Sequence, residues 1–287
     1  MPPAARALLS LILLTCCAPP LSGFQPARVP RAGRVQAEAG LDLSLPTGGL
    51  SALVDGGRAL TAAARSRALS DDERARLVGA GAALVLDAPA VVTHFAASYA
   101  PLPGWSIDLR HASGGWRLGG RRQLLVQGDG AGGTAAPGLD VTLGLGFSYQ
   151  RYGFPVGRVL DFLDLQEFQR WNIDVPLTAG KQAAWYRLWG GPRLLLSHFV
   201  SGMALDLPGP QGSPALPSLA SADGNALTVA LQGGVALGYA PLFLGVELTL
   251  ARVFSTARVG LAGSDVAADI DLGGTIVSPG VALMGDF

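Results

Sequence analysis

Residues 226 to 287 alternate. In Leu227-Thr-Val229-Ala-Leu231-Gln-Gly233-Gly-Val235-Ala-Leu237-Gly-Tyr239, and again in Leu244-Gly-Val246-Glu-Leu248-Thr-Leu250, apolar residues hold every second position and small or polar ones lie between. A period of two puts neighbouring side chains on opposite faces of a strand. Such a sheet has one greasy face and one face of Thr, Gln, Gly and Glu. A soluble protein must cover the greasy face with a second layer. A barrel in a bilayer turns it to lipid and keeps the polar residues inside. Beyond the N-terminus no run offers the roughly 18 apolar residues of a spanning helix, so a membrane reading is a barrel reading. Only helices and closed barrels satisfy every backbone group in hydrocarbon.

The same pattern recurs upstream, in Val35-Gln-Ala37-Glu-Ala39-Gly-Leu41-Asp-Leu43-Ser-Leu45 and in Val141-Thr-Leu143-Gly-Leu145-Gly-Phe147-Ser-Tyr149. Counting such runs predicts ten strands, at roughly 35–45, 90–100, 104–112, 115–127, 139–150, 170–178, 184–199, 225–239, 242–255 and 276–287. Short connections fall on one side and long ones on the other. Tyr-Ala-Pro-Leu occurs twice, from Tyr99 and from Tyr239, each time at a turn. Tyr99, Trp105, Trp185, Tyr186, Tyr239, Phe243 and Phe287 form the expected aromatic belt on the short-turn side.

A chain of this pattern, ending on an aromatic residue in register with its last strand, resembles bacterial outer-membrane β-barrels. The resemblance implies an all-β fold, an antiparallel transmembrane barrel of about ten strands over residues 35–287, with eight as the alternative. It also implies an outer-membrane location with both termini periplasmic. The implied partners are outer-membrane lipid and the barrel-assembly machinery, engaged through the strand ending at Phe287. The oligomeric state is left open.

The N-terminus reads as an address. One arginine, Arg6, precedes the apolar run 7–14, then Thr15-Cys16-Cys17, which is the order of a secretory signal peptide over 1–17. Leu14-Thr-Cys16-Cys17 also resembles a lipobox, making Cys16 or Cys17 the expected lipidation site. Ordinary cleavage nearby is the alternative. Residues 18–34, rich in Pro, Ala and Arg, are expected to be a flexible tether.

Two segments break the strand pattern. Over 49–86 the apolar spacing becomes helical, and Ser70-Asp-Asp-Glu73 has the form of a capping box. Two helices, about 50–68 and 71–85, are expected as an insertion packed on the barrel rim. Residues 158–168 of the following long loop are a further amphipathic-helix candidate.

The charge balance, 21 basic against 21 acidic residues, carries no nucleic-acid footprint. The sequence contains no metal-ligand spacing, phosphate loop or dinucleotide fingerprint, so no cofactor is expected. Lumen parity in the middle hairpin selects Asp108, Arg110, Arg117, Arg121 and Gln123. These should pair across the interior as a polar plug, the alternative being a narrow, porin-like passive channel lined by arginine. His111-Ala-Ser113 resembles the His and Ser of lipid A deacylases, without a carboxylate in the following strand. Asp269-Ile-Asp271 and His198 resemble the rim acids and histidine of omptin proteases, without their Asp-x-His pair. The expectation is therefore a non-enzymatic barrel, structural or binding through its loops. The alternatives are the channel, a hydrolase acting on lipid A or peptide, and a periplasmic lipoprotein with a soluble sheet.

Overall fold

The computed structural model describes residues 21–47, 56, 59–60, 63, 67, 69–70, 72–74, 76–77, 79, 86, 90–112, 114–127, 138–152, 163–205, 218–261 and 267–287. Its strands are β1 (Val35–Thr47), β2 (Ala90–Leu102), β3 (Trp105–Ala112), β4 (Gly115–Val126), β5 (Asp140–Tyr152), β6 (Leu163–Gln182), β7 (Tyr186–Leu205), β8 (Ser218–Tyr239), β9 (Leu242–Leu261), β10 (Ala267–Asp271) and β11 (Gly274–Asp286). From β1 to β9 each strand pairs antiparallel with the next. β9 then pairs with β11 from Leu242 to Val253 and with β10 from Thr256 to Gly260. β10 and β11 thus share one position in the wall. β11 pairs with β1 and closes a ten-strand antiparallel barrel. At the seam the N–H of Val35 donates to the carbonyl of Phe287 at 3.0 Å, and that of Phe287 donates back at 2.9 Å.

The alternation has the expected sense. Leu231, Leu244 and Leu118 point outward and are about 60% exposed, whereas Thr228, Gln232, Glu247 and Thr249 point inward and are buried. The barrel is apolar outside and polar inside, with an apolar outer band far beyond the few hundred Å² usual on soluble monomers. Among the described residues no helix is long and apolar enough to cross a membrane.

The wall is taller on one side than the sequence pattern indicated. β6 to β9 run 20 to 22 residues, and β8 begins at Ser218 where 225 was expected. In the added stretch the lumen positions are Ala220, Ala222 and Gly224, and the outward ones are Leu219, Ser221 and Asp223. Small residues inside and polar Ser221 and Asp223 outside invert the usual contrast, so alternation by hydrophobicity fades. The 158–168 helix expectation is corrected over its described part. Residues 163–168 are strand, paired with β7 from Leu163↔Leu205 onward, because Phe168 and Arg170 share the inward parity of Asn172 and Asp174. Residues 158–162 lie outside the described residues.

The described residues of the insertion are helical at 56, 59–60, 63, 72–74, 76–77, 79 and 86. The capping box forms. The Glu73 N–H donates to Ser70 Oγ at 3.3 Å, and the Ser70 N–H donates to Glu73 Oε2 at 3.0 Å. The described part of the insertion does not pack as a lid on the rim. Leu69, Leu77 and Leu86 are buried in one cluster with Leu21, Phe168, Phe199 and Met203 and with the inward alanines of β8 and β9. These side chains lie inside the tall end of the barrel, because that stretch of lumen is lined by apolar and small residues that a polar solvent would not wet.

Candidate functional site

The expected polar cluster lies in the lumen. Asp108, Arg110, Arg117 and Arg121 are buried, and Gln123 is half-buried nearer the β4–β5 turn. One pair lies within the cluster, and two arginines reach acids outside it, Asp42 and Asp174. Arg121 Nε meets Asp108 Oδ1 at 3.3 Å, Arg110 Nη2 meets Asp42 Oδ2 at 3.3 Å, and Arg117 Nε meets Asp174 Oδ2 at 2.8 Å. Arg193 clasps the same Asp174 through Nε and Nη2 at 2.7 and 2.8 Å. His94, fully buried, has Nδ1 3.3 Å from Asp42 Oδ2. Asp42, Asp174, Arg193 and Glu247 each have the lumen parity of their strand, a signal present in the sequence but eclipsed by the arginines of the middle hairpin.

Part of the remaining hydrogen-bonding capacity is used by a stretch expected elsewhere. Residues 18–34 were expected to be a flexible tether. Over the described residues 21–29 the chain instead threads the lumen, with Leu21, Ser22, Phe24, Ala27 and Val29 buried. Its backbone is held by wall side chains. Glu247 accepts from the N–H groups of Gly23 and Phe24, and also from Trp189 Nε1 at 2.6 Å. Arg193 donates to the Leu21 carbonyl, Arg110 to that of Ser22, and Arg121 to that of Pro26. Gln123 accepts from Val29 N–H at 2.7 Å and donates to the Ala27 carbonyl at 3.1 Å. Phe24 packs its ring against His94 and Trp189, at centroid distances of 5.3 and 6.4 Å. Gly234 makes room for that arrangement, since a Cβ there would sit 2.4 Å from the Trp189 ring. A buried strand of chain needs all its backbone groups paired. An interior rich in charged side chains can supply the partners.

Two cavities beside this segment measure about 20 and 10 Å³, close to the roughly 10–15 Å³ that a single water needs, and a third, of about 380 Å³, opens between residues 28–31 and the lower strand ends. The arrangement can hold a peptide segment.

The outer wall carries the larger concavity, a groove of about 680 Å³ on strands β5 to β9 near their upper, polar-facing stretches. Phe147 and Trp171 form one bank, Arg252 and Phe254 the other, and Leu196 and Leu227 lie between. Register puts Trp171, His198, Asn225 and Thr256 side by side along its upper edge. His198 Nδ1 is 3.2 Å from Asn225 Oδ1.

The residues of the two hydrolase alternatives are described in part. His111 lies on the outer wall against Trp116, ring centroids 4.8 Å apart, with Phe95 and Trp116 as its cross-strand neighbours and no carboxylate. Ser113 lies outside the described residues. His198 and Asp271 share one row across the strands, their backbones three strand spacings, or about 14 Å, apart. Asp269 is exposed, its nearest cation being Arg258 at 3.8 Å. Among the described residues no group of three or more His, Cys, Asp or Glu is placed to hold a metal ion.

Of the belt residues, Tyr99, Trp105, Trp185, Tyr239 and Phe287 are exposed near the short-turn end, and Trp185 meets half-buried Tyr186 edge-on at 4.7 Å. Phe243 is a correction. It is buried in the lumen with the Arg187 guanidinium 3.8 Å above its ring. It has the odd-numbered parity of Glu247, and outward positions on β9 are even. Cys16 and Cys17 lie outside the described residues.

No family model matches the chain, and no curated protein does. Among solved structures it is similar to the outer membrane protease OmpT from Escherichia coli, at 11% identity and a TM-score of 0.40, over 91% of this chain and 99% of that one.

Proposed function

We propose that this chain is an exported outer-membrane barrel with a sealed lumen, acting through its outer wall and rim and not as a conduit. The inside-out polarity supports the membrane setting, for an exposed band of Leu, Val and Ile suits lipid and not water. The seal is the observation that carries the functional reading. Residues 21–29 occupy the polar half of the lumen with their backbone paired to Glu247, Arg193, Arg110, Arg121 and Gln123, and Leu69, Leu77 and Leu86 of the insertion pack in the apolar half. With the interior spent on its own chain, only the outer wall, the tall strand ends and the loops remain to meet a partner. β1 begins and β11 ends on the short-turn side, which is the periplasmic side in this reading.

The test uses the outer-membrane fraction and the purified protein in planar bilayers. A faster-migrating unboiled band together with silent bilayers is the expected result. Discrete conductance steps would return the channel reading. Absence of a mobility shift, with release by mild washing, would favour a soluble sheet on a lipid anchor.

A further inference from the structure

The groove on the outer wall lies where a lipid headgroup meets its acyl chains. On β9, Arg252 and Thr256 are ten and fourteen positions above Leu242 at the lower rim. A strand rises about 3.3 Å per residue, or about 2.5 Å along the axis when tilted some 40°, so these residues stand about 25–35 Å above that rim. That is the upper edge of an apolar band about 25 Å tall. Outward residues change there accordingly. Below are Val246, Leu248 and Leu250, and above are Thr256 and Arg258.

Three features separate this place from the rest of the wall. It is concave, with the low floor of Leu196 and Leu227 between two aromatic banks, and its volume of about 680 Å³ is that of a small-molecule site. The ladder beside it is interrupted. β10 ends at Asp271 and β11 starts at Gly274, so Gly273 borders the groove where a regular strand would continue. And one edge carries a cation facing out of the wall, Arg252, with Nη1 donating to Thr275 Oγ1 at 2.9 Å and the guanidinium 5.8 Å from the Phe254 ring. That bond engages one of the five guanidinium N–H donors and leaves others for a ligand.

We propose that this groove binds one phosphorylated membrane lipid, acyl chain laid over Leu196 and Leu227, phosphate received by Arg252, and headgroup hydroxyls met by Asn225, Thr256 and His198. The chemistry follows from position. The lower part is continuous with the lipid-facing band, so its occupant is a hydrocarbon chain. The upper part presents a guanidinium and neutral hydrogen-bonding groups, and guanidinium–phosphate pairs are among the strong charge-assisted contacts. This rests on the membrane-barrel reading and adds a ligand to it.

The experiment measures lipid retained by the full-length protein in mild detergent, by native mass spectrometry, with phosphatidylglycerol and phosphate-free diacylglycerol of identical acyl chains as probes. One phosphatidylglycerol per barrel is expected, held at least tenfold better than diacylglycerol. Leu227→Trp, which fills the floor, should cut retention at least tenfold, while Leu248→Trp, lower on the same outer face, should leave it unchanged. Arg252→Gln should erase most of the preference for phosphatidylglycerol. Lipid A displacing the probe would assign the site to the outer leaflet. Equal retention of the two probes by the parent protein, or equal retention by Leu227→Trp and Leu248→Trp, would overturn the proposal. Every variant is checked for the unboiled fast band. Loss of that band in the parent protein would instead overturn the barrel reading itself.

Discussion

Asp174 receives Arg193 through both carboxylate oxygens, at 2.7 and 2.8 Å, with neither side chain more than 7% exposed. Arg117 reaches the same carboxylate at 2.8 Å. One acid thus answers two buried guanidinium groups. Asp174→Ala would leave both cations buried and facing each other, and breaking a buried pair costs about 3–5 kcal/mol. The urea midpoint of the fast-migrating band should fall accordingly. Arg258→Gln breaks a pair whose side chains are 74 and 80% exposed, and should move the midpoint by less than about 0.5 kcal/mol. Similar losses in the two variants would mean that the lumen pair is solvated.

Glu247 is the clasp of the lumen segment. Its carboxylate accepts from Gly23, Phe24 and Trp189, and Glu247→Ala leaves three buried donors without an acceptor. Each costs about 1–3 kcal/mol, enough together to expel a short segment. Ala27→Cys, placed in a background lacking Cys16 and Cys17, reports the position by maleimide labelling of folded protein. Labelling should be slow with Glu247 present and at least tenfold faster with Glu247→Ala. Equal rates would show that other contacts hold the segment.

The capping box at Ser70 and Glu73 carries a pH signature. The Arg67 guanidinium, bonded to both Glu73 oxygens, together with the Ser70 N–H, lowers the Glu73 carboxyl from 4.5 to about 2. The folded value is depressed, so this contribution to helix stability is complete above 4.5 and disappears as pH falls through about 2. A carboxyl carbon titration by NMR should place the Glu73 midpoint near 2, returning toward 4.5 in Arg67→Gln. A midpoint of 4.5 in the parent chain would mean that the ion pair does not form in solution.

The fold was legible where outward residues are large and inward ones polar, as at Leu244 to Leu250. There lipid and lumen demand opposite chemistry and the alternation has full amplitude. It faded at Ser218 to Asn225, where alanine faces the lumen and serine faces out, and the strand was read seven residues short. Phe243 was misplaced because its proximity to a turn was weighed above its parity. The lumen arginines were legible from parity as well, but their binding of residues 21–29 was not. Nothing in Leu21-Ser-Gly-Phe-Gln-Pro-Ala27 distinguishes a tether from a lumen strand. Its position is dictated by partners more than 80 residues away, Arg110, Arg193 and Glu247.

That position bears on the N-terminal cysteines. Leu21 gives its carbonyl to Arg193, and Arg193 stands seven positions above Tyr186 at the lower rim of β7. At about 2.5 Å of axial rise per tilted residue, Leu21 lies about 15–20 Å inside the barrel. The four residues from Cys17 to Leu21 span at most about 14 Å even fully extended. An acylated Cys17 therefore cannot reach the periplasmic leaflet while the segment is seated, and Cys16 gains only one residue more. Lipid anchoring there and a sealed lumen exclude each other. Metabolic labelling with a radioactive fatty acid should leave the protein unlabelled, and mass spectrometry of the mature N-terminus should find a free amine. If labelling is found and abolished by Cys16→Ser with Cys17→Ser, then Ala27→Cys, placed in a background that keeps only the acylated one of Cys16 and Cys17, must label rapidly. Fast labelling there would mean that the anchor draws the segment out, and slow labelling would contradict the seated geometry.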